Sequence, residues 1–246
     1  TRMAAVIAHP IRHSISPFIH NLAYELTATN AAYLAWDIAE EDLESTISQI
    51  RKLDMIGANI SMPYKQKVFP YLDEVDEMAL KIGSVNTIVH RAGKLKGYNT
   101  DGIGFFRSLP PAFSIKGKTM VLLGAGGAAL AIIAQAIPLG VKRILVFVRE
   151  ERLVHYRSIV QLIEDGFDFL IELYAIEKDE EVQNSFNQAD LILNATGVGM
   201  DGHSLPIASH LTFPPQALIV EMAYYPAVTP FLQLAVNQGN LRVNGL

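Results

Sequence analysis

The residues best suited to chemistry stand in short polar clusters between apolar runs. His9-Pro10-Ile11-Arg12-His13-Ser14-Ile15-Ser16-Pro17 follows the first of these runs. Ser16-Pro17 makes a good helix start, with Ser16 as N-cap and Pro17 at the first helical position. Ser14 is not needed for that cap. Two hydroxyls at the end of a strand, near a helix N-terminus, could hold a small carboxylate. Three more clusters follow: 57–65 with Asn59, Ser61 and Lys65; Gly83-Ser84-Val85-Asn86-Thr87; and Gly97-Tyr98-Asn99-Thr100-Asp101-Gly102. Each alone reads as a turn. Together they bring Lys65 and Asp101 to loop edges of a polar pocket. A Lys ammonium can give a proton to a developing alkoxide and stabilise its charge, with a carboxylate to orient it.

A second kind of chemistry is written at Leu122-Leu123-Gly124-Ala125-Gly126-Gly127-Ala128-Ala129. The run fits G-x-G-x-x-G/A between an apolar strand and a helix, the context that gives the motif meaning. Gly124 permits the tight turn, and Gly126 lets the backbone approach a pyrophosphate. Ala129 is small enough for the helix to pack on the strand. The helix start then offers free N–H groups to phosphates. At the end of the next strand stands Arg149-Glu150-Glu151-Arg152, with Glu150 26 residues after Gly124. An acidic residue there accepts from a ribose 2′-hydroxyl and favours NAD. Arg149 beside it pairs with a 2′-phosphate and favours NADP. Both readings stand at this level.

Composition removes whole classes of function. The chain has 246 residues and no cysteine, which excludes disulfides, thiolate metal sites and thiol nucleophiles. Half the residues are hydrophobic and 18% are charged, so the chain folds. A net charge of −5 argues against a nucleic-acid surface or a basic membrane patch. His9 and His13 match H-x-x-x-H, but on a strand and loop containing Pro10, so no metal site is expected. Met120 to Val141 is free of charge over a length that would span a bilayer. Its glycines, Gln135 and Pro138 instead divide it into a buried strand, a turn and a buried helix.

These sites need elements to hold them, and strand and helix alternate along the chain. Expected strands are 3–8, 32–37, 55–61, 119–123, 143–148, 167–174, 190–195 and 218–222. Expected helices are 17–26, 41–53, 74–82, 127–137, 151–164, 180–186 and 229–238. Residues 85–90 and 95–98 pair as a hairpin. Phe18, Leu22 and Leu26 form a stripe at spacing four. The pattern predicts two α/β domains. A substrate-binding and catalytic domain, 1–102, has a mainly parallel sheet. A C-terminal Rossmann nucleotide-binding domain, 103–246, follows.

In order along the chain, these motifs resemble the shikimate/quinate dehydrogenase family. The matches are the signature from Pro10-Ile11 to Asn21, Asn59 to Lys65, Asn86-Thr87, Asn99-Thr100-Asp101-Gly102, the Gly124 loop, Asn194-Ala195-Thr196, and the Tyr224, Pro226, Thr229 cluster. The resemblance implies reversible nicotinamide-dependent reduction of 3-dehydroshikimate to shikimate, on the route to aromatic amino acids. It implies that Lys65 and Asp101 are the catalytic pair; the proton-donor chemistry gives Asp101 positioning and charge balance, with proton relay as the alternative. It places Ser14 and Ser16 on the substrate carboxylate. Asn59, Ser61, Asn86, Lys65 and Asp101 meet ring hydroxyls or the carbonyl, and Tyr224 lines the pocket. Gly124, Ala125, Gly126, Gly127, Ala128, Arg149, Glu150, Thr196 and Gly245 meet the cofactor.

Departures from the family pattern are local. Ala8 stands where Gly is usual, and Ser61 where Thr is common. Val148-Arg149-Glu150 replaces Asn-Arg-Thr, so NADP is expected, with NAD as the alternative. Glu221 stands where Asp is common and is read as structural. The family's chains continue past Asn244-Gly245-Leu246 into helices that return to the first domain, so a trimmed chain is expected. A cytoplasmic monomer or homodimer acting on a small molecule, with no nucleic acid and no membrane, completes the expectation. Three rival readings remain: a quinate/shikimate dehydrogenase using NAD, another two-domain dehydrogenase such as a folate-linked one, and an inactive nucleotide- or ligand-binding regulatory protein.

Overall fold

The uncharged run from Met120 to Val141 is several elements, as its glycines require. In the structure, a computed structural model that describes residues 1–12 and 14–245, Thr119–Leu123 is a strand and Gly127–Ala136 a helix. That helix is ten residues long. Among the described residues no helix is long and apolar enough to cross a membrane. The chain divides into two compact units, Thr1–Thr100 and Asp101–Leu246.

The first unit contains β1 (Arg2–Ala8), α1 (Ser16–Leu26), β2 (Ala31–Asp37), α2 (Leu43–Lys52), β3 (Gly57–Ile60), β4 (Glu74–Val75), α3 (Glu77–Ile82), β5 (Thr87–Arg91) and β6 (Lys94–Tyr98). They form a mixed sheet in the order β2-β1-β3-β5-β6-β4. β1 runs parallel to β2 and β3, and β4 parallel to β6. β5 is antiparallel to both its neighbours. The expectation of a mainly parallel sheet is therefore refined by the hairpin. Its two-residue turn, Ala92-Gly93, has φ of +51° and +78°, the primed geometry that matches strand twist. The larger core packs Ile7, Ile47, Ile50, Ile60, Tyr64 and Ile88, with Trp36 of β2 half-buried against it.

Two details differ from the pattern reading. The helix expected from Glu74 starts at Glu77. Glu74 and Val75 pair with Lys96 and Gly97 instead, and the Asp76 carboxylate caps α3 by accepting from the Met78 N–H at 3.1 Å. A good N-cap sets a helix start more firmly than one apolar residue upstream. Second, the Phe18, Leu22, Leu26 stripe of α1 is open to solvent, with Phe18 73% and Leu26 78% exposed. Polar contacts, with Tyr24 packed against Ala4, Val6 and Tyr33, hold α1 to the sheet. Asn21 Oδ1 accepts from the Tyr33 N–H and Nδ2 donates to the Tyr33 carbonyl, both at 2.9 Å. His20 stacks on the Tyr33 ring at 4.1 Å.

The second unit contains α4 (Asp101–Ser108), β7 (Thr119–Leu123), α5 (Gly127–Ala136), β8 (Arg143–Val148), α6 (Leu153–Phe167), β9 (Glu172–Ala175), α7 (Asp179–Phe186), β10 (Leu191–Asn194), β11 (Leu218–Glu221), α8 (Pro230–Asn237) and β12 (Arg242–Val243). The sheet is parallel throughout, in the order β12-β11-β10-β7-β8-β9. Strand order reverses between β7 and β10, where doubly wound sheets open a ligand crevice. The strand expected at 167–174 is confined to Glu172–Ala175. α6 runs on to Phe167 and is closed by Asp168 in the left-handed region. The buried Glu164 carboxylate then accepts from the Ile171 N–H at 2.6 Å, which spends that backbone group outside the sheet.

The edge strand β9 is tied to β8 by charge as well as by backbone. Arg143 grips Glu172 with two parallel bonds, Nε at 2.5 Å and Nη2 at 2.8 Å. The Tyr174 hydroxyl donates to the same carboxylate at 2.7 Å. These bonds, led by Arg143, hold the Glu172 carboxyl below its ordinary range. A lowered folded pKa stabilises above the unfolded value, and the stabilisation fades as pH falls through the folded pKa. Glu172→Gln should therefore lower unfolding stability by about 1 kcal/mol at pH 7. Urea titrations should show the gap between wild type and variant closing below about pH 4.

Candidate active site and cofactor cleft

β7 delivers the chain to Gly124, whose N–H donates to the Phe147 carbonyl at 2.7 Å. Gly124 has φ +93°, and a Cβ there would lie 3.0 Å from the Thr196 methyl. Only glycine makes this turn without strain. Gly126 is the N-cap residue of α5 and supplies no side-chain cap. A Cβ on Gly126 or Gly127 would meet nothing within 4 Å. The start of α5 is therefore open around Gly126 and Gly127, and the unpaired first N–H groups of a helix suit such a space to phosphate. Ala129 is buried against the sheet, as the third motif position demands.

A cleft of about 540 Å³ lies over this turn. Its wall contains Gly124, Ala125, Gly126, Arg149 and Thr196 from the expected cofactor set. Gly127 and Ala128 begin α5 behind it. Glu150 and Gly245 are not on its wall. Glu150 turns its N–H to the Glu177 carboxylate at 3.1 Å. Gly245 instead packs on the chain after β11, where a Cβ would lie 2.0 Å from the Met222 carbonyl oxygen. Arg152 and Tyr156 join the wall and were not expected as cofactor residues. The signal for them was periodicity: Arg149, Arg152 and Tyr156 follow at helical spacings of three and four. Arg149 pairs with Glu151 at 3.3 Å in the open, a weak bond that a stronger anion displaces. Among the described residues Arg152 has no ion-pair partner within 4.0 Å. The cleft thus presents two guanidinium groups beyond the end of β8 and free N–H groups beyond the end of β7.

Tyr224 lies in the loop after β11 and is 42% exposed. Asp101 is the first residue of α4. Gly102, next in the helix, lets α4 lie on α5, since a Cβ there would be 2.3 Å from the Ala131 carbonyl oxygen.

In the first unit the polar clusters meet at the carboxyl ends of β1 and β3. Asn59, one residue before the end of β3, sits in a bracket. Its Oδ1 accepts from the Tyr33 hydroxyl at 2.5 Å, and its Nδ2 donates to the Asn86 carbonyl and the Thr87 hydroxyl. Asn86 is buried, and its Oδ1 accepts from the Thr100 N–H at 3.0 Å. The Lys65 carbonyl accepts from the Val85 N–H, and the His9 N–H donates to the Met62 carbonyl. These bonds draw the loops carrying Ser61, Lys65 and Asn86 together, with His9 leading into the 9–16 loop. The capping expectation reverses at this loop. Ser16 is the first residue of α1 rather than its cap, and Ser14 Oγ accepts from the Ser16 N–H at 3.3 Å. Ser14 is the residue that closes this turn, because its side chain reaches two residues forward as an ST-turn does. His13, the partner of His9 in the dismissed metal spacing, lies outside the described residues. Among the described residues no group of three or more His, Asp or Glu side chains is placed to hold a metal ion.

The comparisons with known proteins agree on one family. Residues 6–88 match the model of the shikimate dehydrogenase substrate binding domain. The shikimate dehydrogenase (NADP(+)) of Streptococcus gordonii is 55% identical over 246 residues, covering all of this chain and 86% of its own. The chain belongs to the shikimate dehydrogenase family. Solved structures of the family superpose on its whole length. The shikimate 5-dehydrogenase of Listeria monocytogenes, in complex with shikimate and NAD, gives a TM-score of 0.93 at 36% identity, over 86% of that chain. The Thermus thermophilus enzyme, in complex with NADP(H) and shikimate, gives 0.84 at 31% identity, over 87% of that chain. The family fold accounts for the two α/β units and for the Asn59 and Gly124 motifs at strand ends. Gly124→Ala should destabilise the second unit by about 1–3 kcal/mol, the strain of a side chain at positive φ. Denaturant unfolding of the purified variant measures it.

Proposed function

We propose that this chain catalyses the reversible NADP-dependent interconversion of 3-dehydroshikimate and shikimate. One observation carries the reading: the chain belongs to the family over its full length and keeps both Lys65 and Asp101. The residues of the cleft suit a dinucleotide, because a Cβ at Gly126 would fill the space that a pyrophosphate needs. When bound, the nicotinamide supplies or accepts the hydride. Gly124, Ala125 and Gly126 hold the pyrophosphate at the start of α5. Arg149 and Arg152 favour a 2′-phosphate, and the absence of Glu150 from the cleft wall removes the main objection to it. Thr196 supports the other half.

In the first unit, Ser14 and Ser16 donate hydroxyl hydrogens to the substrate carboxylate. Ser14 already accepts a backbone hydrogen, which leaves its own hydrogen for the ligand. Asn59, Ser61 and Asn86 meet the ring hydroxyls, and Tyr224 contributes from the loop after β11. In reduction, negative charge grows on the carbonyl oxygen, and the Lys65 ammonium gives it a proton. Asp101 orients that ammonium and balances its charge. Asp101 follows Thr100 by one peptide bond, and Thr100 is held by Asn86. No metal enters this chemistry. A cytoplasmic setting and a monomer or homodimer complete the proposal.

The test is absorbance at the nicotinamide band with shikimate and quinate against NADP and NAD. Turnover of shikimate with NADP is expected to exceed the other three combinations. A large preference for NAD would overturn the cofactor assignment, and a preference for quinate would overturn the substrate. Lys65→Ala should lower kcat by about 10²–10⁴-fold, the usual share of a positioned acid, with little change in the shikimate KM. An active Lys65→Ala enzyme would remove Lys65 from the proton-donor role.

A further inference from the structure

One carboxylate of the first unit grips the 9–16 loop and takes no part in the chemistry described above. The parallel register sets Asp37, the last residue of β2, opposite Ala8, the last of β1. Its side chain reaches past the strand end to the next residue, with Oδ1 2.7 Å from His9 Nδ1. A carboxylate can only accept, so the hydrogen of this bond sits on His9 Nδ1. The His9 hydrogen bond, then the Ile11 backbone N–H, then the charges of His9 and Arg12 hold the Asp37 carboxyl below its usual range.

Two further hydrogen bonds carry this grip along the loop. The Ile11 carbonyl accepts from the Ser14 N–H at 3.0 Å. Ser14 Oγ accepts from the Ser16 N–H at 3.3 Å. The contacts thus run from Asp37 through Ile11 to Ser14, and from Ser14 to Ser16. The loop is also held from the side of β3, where the His9 N–H donates to the Met62 carbonyl at 3.0 Å. The Asp37 and His9 side chains are both exposed. An exposed pair adds little to stability. What it fixes is the shape of the loop.

We infer that Asp37 is a positioning residue for the substrate: by gripping His9 and Ile11, it sets the turn from which Ser14 and Ser16 offer their hydroxyls to the substrate carboxylate. The inference rests on the carboxylate reading of Ser14 and Ser16 above. The sign of the effect separates it from simple charge. Removing an anion by itself favours an anionic substrate. Removing a positioning residue disfavours it.

The test is steady-state oxidation of shikimate with NADP⁺ by wild type, Asp37→Ala, Ser14→Ala and the double variant. Asp37→Ala should raise the shikimate KM about fivefold and leave kcat within about twofold, because Lys65 is untouched. Ser14→Ala loses a hydrogen bond to a charged group and should raise KM about tenfold. It also cuts the link to Ser16. The double variant should therefore stay within about twofold of Ser14→Ala, since Asp37 has nothing left to act through. Effects that multiply in the double variant would overturn the inference, as would an unchanged or lowered KM in Asp37→Ala, or a kcat that falls with the rise in KM. Each of these leaves the proposed reaction standing. A wild-type KM in Ser14→Ala would overturn the carboxylate reading and the inference with it. A wild-type chain that does not turn over shikimate overturns the proposed function as well. If Asp37→Ala does not fold, Asp37→Asn keeps one acceptor oxygen for two donors. It should show the same pattern at about threefold, and its absence there would equally refute the assignment.

Discussion

A polar side chain at the end of a buried strand must find all its hydrogen bonds where it stands, because water does not reach it. Leaving such a group unpaired costs about 1–3 kcal/mol, a large share of any domain's stability. Asn194 and Glu221, both fully buried, close β10 and β11 under this constraint. They find their partners in each other and in the loops that follow their own strands. The loops are fixed as a by-product. Asn59 fixes the start of the Asn86 loop, and Asn194 fixes the loop that carries Thr196. The second unit thus turns an obligation of burial into the placement of a site.

The apolar core makes that obligation strict. Adjacent residues on three strands, Leu122 and Leu123, Val146 and Phe147, and Ile192 and Leu193, are all fully buried, so the sheet of the second unit is covered on both faces. α5 is buried on nearly every side, with six consecutive residues from Ala129 to Ala134 out of solvent. A helix enclosed in this way cannot rotate without disturbing the sheet. Its N-terminus therefore points in a fixed direction, which is what a phosphate site requires of it. The Arg149 and Arg152 side chains, by contrast, stand in solvent and can adapt to what they bind.

How much of this the sequence disclosed depends on where the information sits. β7, the Gly124 turn and α5 were legible because backbone geometry itself demands those residue types. Lys65 and Asp101 were legible as members of an ordered set of motifs. Arg152 and Tyr156 were missed because a wall formed over two turns of helix has no contiguous signature. The Ser14 and Ser16 roles were exchanged because a hydroxyl two residues before a helix can close a turn as well as one at its start. Glu74 was drawn into a helix because a two-residue strand has no period to read. The open stripe of α1 shows the limit of amphipathicity. The stripe was visible, but the helix is held on other faces, by Asn21 and His20 on Tyr33 and by Tyr24 against the small core, which the spacing-four pattern does not reveal.

The two units have separate cores, and the chain's one tryptophan, Trp36, packs against only the first of them. Intrinsic tryptophan emission therefore views half of the molecule. Ellipticity, which sums over both sheets, views the whole. Unless the units melt together, the two signals will trace different curves, and neither midpoint alone describes the protein. The divergence is itself informative: the emission curve isolates the unit that carries Lys65, and subtracting it from the ellipticity leaves the unit that carries the cleft.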